Sequence, residues 1–416
     1  MDAIINDNMI GKEVKVVIIG TSFTSRLGII RSIAPMECDI SVVVMTGCKR
    51  SGALNKTKPI DCYSRYVNHI YYCHVKNEKG LVDILINQCA ERNKKAILIP
   101  CSDFSASVID RNINDLKDLF FFPHINHCQG EIVKWMNKER QKNLAKLVNL
   151  NVTHSCVIDI SDKRYTIPID IQYPCFTKPL VSIAGGKLFF KRCDNKTDLD
   201  NVLKGISAKE GSIKILVEDF IFIEKEYAVL GFSDGSDVVI PGVVYLSRMS
   251  QSHPGVALQG KILPIEGFED VISKFRGYIK KIGFVGLFDI DFFFSKGNFY
   301  FGEMNLRFGG SGYAITKMGV NLPEMMVKSL SGESITYMQK EVKGSAFFVN
   351  ERMCVDDWYK GYISNEEYHK IMQMVDFSFV EDEQDPFPGI ILKKEYRKRR
   401  VLRMIKRSLK VLINNG

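Results

Sequence analysis

The segment from Gly286 to Gly310 leaves the chain few ways to fold. Two strongly apolar, aromatic-rich runs flank Ser295-Lys296-Gly297-Asn298, a sequence suited to a hairpin turn. Strands this apolar are expected to be buried, yet Asp289, Asp291, Glu303, Asn305 and Arg307 interrupt them. Unpaired charge in such a place is costly, so these groups point to a site rather than a solvated turn. Side chains two apart on a strand share a face, which groups Glu303, Asn305 and Arg307; antiparallel pairing can then set Asp291 beside Glu303. Two carboxylates and an amide oxygen form a hard, all-oxygen set suited to Mg²⁺ shared with nucleotide phosphates. Arg307 adds a planar donor fork for phosphoryl or carboxylate oxygens. Asp289 shares the face of Asp291, and parity leaves both open as the metal ligand.

Upstream, residues 14–19, 40–45 and 96–99 are short β-rich runs, with an amphipathic helix expected over 81–92. Buried strands alternating with helices predict a parallel α/β domain. The loops Gly20-Thr21-Ser22 and Cys101-Ser102-Asp103 follow two of these strands, so they belong at the carboxyl edge, where ligands bind. No G-x-G-x-x-G follows the first strand, so dinucleotide binding is not expected. A helical pattern over 131–148 leads into a strand-rich, antiparallel α+β region. The 416 residues suffice for two or three domains. Eleven scattered cysteines without a Cys-x-x-Cys pair suggest a reducing, cytoplasmic setting. His124-Ile125-Asn126-His127-Cys128 is half a metal site without partner ligands. No apolar run reaches membrane-spanning length, and residues 1–11 lack the features of a signal peptide. Residues 381–386 are acidic and read as a solvated turn or linker.

Two further motifs surround the carboxylate cluster. Phe176-Thr177-Lys178-Pro179 ends a strand and runs into a small-residue loop containing Gly185-Gly186. Leu216-Val217-Glu218-Asp219-Phe220-Ile221 ends another strand, with Glu224 and Glu226 just beyond. In order and spacing, these motifs and Glu303-x-Asn305-x-Arg307 resemble the ATP-grasp superfamily of carboxylate–amine ligases. Phe301-Gly-Glu303-Met-Asn305-Leu-Arg307 and Met318-Gly-Val-Asn321-Leu-Pro further resemble D-aspartate ligases and related bacterial cell-envelope ligases.

The resemblance implies an ATP-grasp fold preceded by a Rossmann-like domain. The expected division is 1–128 for that first domain and 129–340 for the nucleotide-binding domains, with a central lobe at about 150–227. A C-terminal α/β extension would occupy 341–390 and a basic tail 391–416. The implied cofactors are ATP and Mg²⁺ or Mn²⁺. Lys138 and Lys178 would touch phosphates, and Gly185 and Gly186 would close over them, with Lys187 or Lys191 adding charge. Glu218 and the backbone of Asp219, Phe220 and Ile221 would meet adenine. Glu226 would take the ribose, with Glu224 as its competitor. Asp291, Glu303 and Asn305 would hold the metal, and Arg307, with Lys178, would act on the transferring phosphoryl group. Arg248, in a loop expected to be mobile, could hold a substrate carboxylate. The implied reaction is ADP-forming C–N ligation of small-molecule or saccharide carboxylates and amines in envelope or surface-polysaccharide biosynthesis. A phosphotransferase or a non-catalytic, membrane-associated nucleotide-binding protein on the same fold are the alternatives.

The chain carries 57 Lys and Arg against 48 Asp and Glu, a surplus of nine. Residues 393–410 hold ten Lys or Arg and one Glu, which accounts for all of it. Val401, Leu402, Ile405, Leu409 and Leu412 recur at helical spacing among these cations. A basic amphipathic helix suits an anionic membrane surface, at the inner face for a cytoplasmic protein, and nucleic acid is not expected as a partner. Removing 393–416 is expected to abolish vesicle binding and to spare activity.

Overall fold

The computed structural model describes residues 14–49, 51–91, 93–182, 189–210 and 212–414, without the side chains of 404 and 406–414. Three sheets organise the described residues. The first contains β1 (Lys15–Gly20), β2 (Asp39–Thr46), β3 (His69–His74), β4 (Ala96–Pro100) and β5 (Phe120–Phe121), all parallel in the order β3-β2-β1-β4-β5. Its central strands are apolar on both faces because helices cover both. β6 (His124–Ile125) leaves this sheet and pairs with the third. The expected helix over 81–92 is Glu78–Ile84 continued by a wider turn at Leu85–Cys89.

The second sheet is antiparallel: β7 (Ser155–Ile160), β8 (Cys175–Pro179), β9 (Lys191–Cys193) and β10 (Ile213–Asp219), in the order β7-β10-β8-β9. The helix Lys196–Glu210 buries Leu199, Leu203 and Ile206 in this sheet's core, and their 3–4-residue spacing is what gives a helix one apolar stripe. The third sheet has nine strands and centres on β11 (Lys225–Asp234), with β12 (Val238–Val239), β13 (Val243–Met249) and β14 (Ala257–Leu263). It is completed by β15 (Phe284–Ser295), β16 (Asn298–Asn305), β17 (Ala346–Val349) and β18 (Phe377–Ser378).

One core cluster runs from Ile18 and Val42 of the first sheet through Phe308 and Tyr313 to Val380 and Leu392. The C-terminal segment is therefore packed against the first sheet's helices. The acidic stretch 381–386 is mostly exposed but anchored: Asp385 is fully buried and 3.0 Å from Arg31, which also donates to the Phe379 and Val380 carbonyls. Asp382 pairs with Lys317 at 2.8 Å.

Candidate active site

The hairpin β15–β16 starts in the register its turn sets, with Ser295 opposite Asn298 and Phe292 opposite Phe301. Continued unbroken, that register would put Gly302 opposite Asp291 and turn Glu303 to the other face. A bulge between Asp291 and Phe292 adds one residue to β16, and beyond it Asp291 faces Glu303 and Asp289 faces Asn305. The absorbed residue is Gly302, where a Cβ would stand 2.8 Å from the Asp291 carbonyl oxygen; the missing side chain is what permits the bulge. Asp289, Asp291, Asn305 and Arg307 thereby line one cavity of about 340 Å³. Thr21, Ser22, Ser102 and Asp103, from the loops after β1 and β4, line it too.

Burial raises the Asp289 carboxyl to about 6 and holds that of Asp291 well above the usual carboxylate range, with neighbouring carboxylates adding to both. Asp289 Oδ1 is buried without a hydrogen-bond partner. An orphaned acceptor beside carboxylates that resist ionisation fits a hard divalent cation, which would satisfy the one and ionise the others. Among the described residues no three His, Cys, Asp or Glu side chains form a metal cluster, so a cation here would need a further ligand such as the Asn305 amide.

Asn137 caps the helix Lys138–Leu147 by accepting from the Arg140 N–H, and this sets Lys138 at the helix start. Lys138 is 3% exposed, with Nζ 2.6 Å from Glu303 Oε1 and 3.0 Å from Ser182 Oγ. Ser182 Oγ donates to the same carboxylate oxygen at 2.5 Å. Burial pushes the Glu303 carboxyl up, but Lys138 and Ser182 outweigh it and hold it low. One helical turn on, Lys142 is 2.8 Å from Glu218 Oε2, and Lys178 from β8 is 2.6 Å from Glu218 Oε1. These two lysines hold the Glu218 carboxyl below its usual range against burial, while burial lowers Lys142. Arg307 Nε donates to Asp103 Oδ1 at 2.7 Å. Lys138, Lys142, Lys178 and Arg307 are each held by a carboxylate, with Glu218 serving two of them.

The Asp219 and Phe220 N–H groups donate to the His154 and Pro174 carbonyls at 3.0 Å each, and Ile221 follows half-buried. Glu224 accepts from the Lys296 N–H at 2.7 Å, which commits it to the hairpin turn. Glu226 is half-buried, and burial raises its carboxyl. Lys191 is exposed on β9, whereas Gly185, Gly186 and Lys187 lie outside the described residues.

Arg248 lies 3.3 Å from Glu367 and does not line the cavity. Its loop is fastened rather than loose: Asp357 accepts from Ser250 Oγ, Gln251 N and Ser252 N at 2.8–2.9 Å. His253 Nε2 is 2.9 Å from Asp356 Oδ2, and the following Gly255, Val256 and Ala257 line the cavity. At the other suspected metal site, His124 and His127 stack at 3.6 Å, and burial lowers His124 to about 4.

The motif reading missed Lys142, Ser182 and Asp103 as partners of the site. Lys142 was accessible, since it stands four residues after Lys138 and so on the same helix face. Ser182 and Asp103 reach their partners across 121 and 204 residues, and no local pattern announces them.

No family model matches the chain. It is similar to the carbamoyl phosphate synthase large chain of Gemmatimonas aurantiaca, 24% identical over 178 residues, which is 42% of this chain and 16% of that protein. The match thus spans about a sixth of that relative's length. The D-aspartate ligase of Enterococcus faecium is 21% identical over 284 residues, 64% of this chain and 67% of that enzyme. Among solved structures, the L-amino acid ligase of Bacillus licheniformis superposes with a TM-score of 0.60 at 15% identity, covering 81% of this chain and 80% of the other. The biotin carboxylase domain of the Hydrogenobacter thermophilus 2-oxoglutarate carboxylase, solved with MgADP and bicarbonate, gives 0.60 at 18% identity over 80% and 73%. The chain is built on the ATP-grasp fold, in a mixed α/β architecture with a parallel first sheet, and it resembles the carboxylate–amine ligases that share that fold.

Proposed function

We propose that the protein is an ADP-forming ligase that uses ATP and Mg²⁺ or Mn²⁺ to join a carboxylate to an amine. The observation that carries this reading is the bulged hairpin, which aligns Asp291 with Glu303 and Asp289 with Asn305 within reach of Lys138. The fold shared with a MgADP-bound neighbour supports the choice of nucleotide and metal. Asp291, Glu303 and Asn305 would hold the cation, which supplies charge neutralisation at the phosphates. Lys138 and Lys178 bind phosphate oxygens, and Arg307 holds the transferring phosphoryl group, so that positioning and fixed charge lower the barrier. Glu218 and the Asp219–Ile221 backbone bind adenine and Glu226 binds ribose, and the motif resemblance assigns Gly185 and Gly186 to the phosphates. The γ-phosphoryl passes to a carboxylate oxygen and ADP leaves. The amine lone pair then attacks the acyl carbon, phosphate departs, and the amine gives up a proton.

The substrates in this reading are small-molecule or saccharide carboxylates and amines of envelope or surface-polysaccharide biosynthesis, handled at the inner face of the membrane. Similarity to D-aspartate ligase supports the envelope assignment. No helix among the described residues is long and apolar enough to cross a membrane. The division into a Rossmann-like domain at 1–128, nucleotide-binding domains at 129–340, an extension at 341–390 and a basic tail belongs to the same proposal. The test is ADP and phosphate release from ATP and Mg²⁺ with candidate carboxylate–amine pairs. Release that needs both substrates supports a ligase; release with the carboxylate alone, unchanged by any amine, makes it a phosphotransferase instead.

A further inference from the structure

The C-terminal helix, Pro386–Asn414, has two faces with different commitments. Inward, Leu392 is buried, and Tyr396 stacks on Tyr368 at 5.2 Å and lies 4.8 Å from Trp358. Arg399 pairs with Asp356, and Glu395 pairs with Arg352. Arg403 donates to the Trp358 carbonyl at 2.5 Å, with its guanidinium 4.6 Å from the indole centroid. These contacts hold the first half of the helix to the body, through the same Asp356 that holds His253. Removing 393–416 would strip Glu395, Tyr396 and Arg399 from Arg352, Tyr368 and Asp356, so that truncation is not the clean separation of tail from body that the sequence suggests.

The outward face is open to solvent at its described positions. Phe387, Val401 and Ile405 are about half exposed, at 53%, 56% and 50%. Exposed Lys394, Arg397 and Lys398 stand between them. Phe387, Lys394 and Val401 are seven residues apart, close to two helical turns, so apolar and cationic groups alternate along one stripe.

We propose that this stripe docks on an anionic phospholipid surface. A purely solvated face has no need of large apolar groups between its cations. A second copy of the chain would bring an equally basic stripe against this one, and that repulsion disfavours self-association. An anionic bilayer satisfies both sets, because its interface buries apolar side chains while lipid phosphates attract the cations. The inference deepens the inner-face part of the functional reading, on which it rests for the choice of a lipid, and it is independent of the chemistry.

The experiment is co-sedimentation of the full chain with vesicles of phosphatidylcholine, alone or mixed with phosphatidylglycerol at roughly three to one. The expected result is binding to the mixed vesicles only, weakening as salt screens the cations. Val401→Glu with Ile405→Glu changes only exposed positions and should cut vesicle affinity at least about tenfold. Lys394→Glu with Arg397→Glu should do likewise, and both variants should keep their affinity for MgADP. Equal binding to neutral vesicles, wild-type binding by the Val401/Ile405 variant, or a dimer dispersed by that variant would each overturn the proposal. Failure of the wild-type chain to bind MgADP in the same samples would count against the ligase and leave the vesicle result standing.

Discussion

The two carboxylates that face the lysines differ in how they are held. Glu218 lies between Lys142 and Lys178, with its side chain 13% exposed, and each of its oxygens takes one ammonium. Glu303 has one lysine and one hydroxyl on a single oxygen, keeps a side-chain exposure of 26%, and faces a second carboxylate across the hairpin. The first is surplus in cations and closed; the second is surplus in anions and open. A nucleotide's phosphates suit the cations of the first, and a divalent cation suits the anions of the second, so the charge balance of the site is split before any ligand arrives.

Breaking that comparison begins with Glu218→Ala. It leaves Lys142 and Lys178 without a carboxylate partner, their side chains only 4% and 14% exposed, and a cost of about 3–5 kcal/mol in denaturant unfolding is expected, as for other broken buried pairs. A loss under about 1 kcal/mol, the scale of an exposed pair, would show that the cluster is solvated. Glu303→Gln should reverse the pattern. The structural loss should be smaller because the position is partly exposed, while turnover should fall about 100-fold, or roughly 2.7 kcal/mol. Full turnover in this variant would remove Glu303 from the metal set.

The contrast is sharpened by Glu226, whose carboxyl burial raises. Ribose hydroxyls donate to the ionised form, so MgADP affinity should weaken as pH falls through the raised pKa. Titration calorimetry at a series of pH values should show a slope that Glu226→Gln abolishes; an unchanged slope would assign the ribose elsewhere. The smallest effect is expected at Asp103→Asn, which frees Arg307 from its partner without removing it. A several-fold change in kcat, about 1 kcal/mol, with unaltered MgADP affinity would mark Asp103 as a positioning residue, and a matching loss of nucleotide affinity would contradict that.

What could be read from sequence follows the range of the interactions. The hairpin and the carboxyl-edge loops of the first sheet rest on short-range periodicity and turn chemistry, so local composition predicts them. The partners of those residues do not. Lys138 meets Glu303 across 165 residues and Arg31 meets Asp385 across 354, and only packing of the sheets decides such pairs. The anchoring of the mostly exposed stretch 381–386 was hidden for the same reason, since Arg31 meets Asp385 from the far end of the chain. The loop 247–255 looked mobile because its Ser, Gly and Pro content says nothing of Asp357. β3 escaped notice because His69 and His74 bracket its short apolar centre.

The bulge at Gly302 separates spelling from spatial sense. Giving position 302 a side chain keeps Glu303, Asn305 and Arg307 in their characteristic spacing, and a scan for the motif would still find it, but it takes away the room the bulge needs. The strand would then run on in the register of its turn, with the Glu303 carboxylate facing away from Asp291. A homologue can thus retain every chemical letter of this site and be inert for want of a residue that has no side chain, so an inventory of the motif should begin one position earlier than its first charged residue.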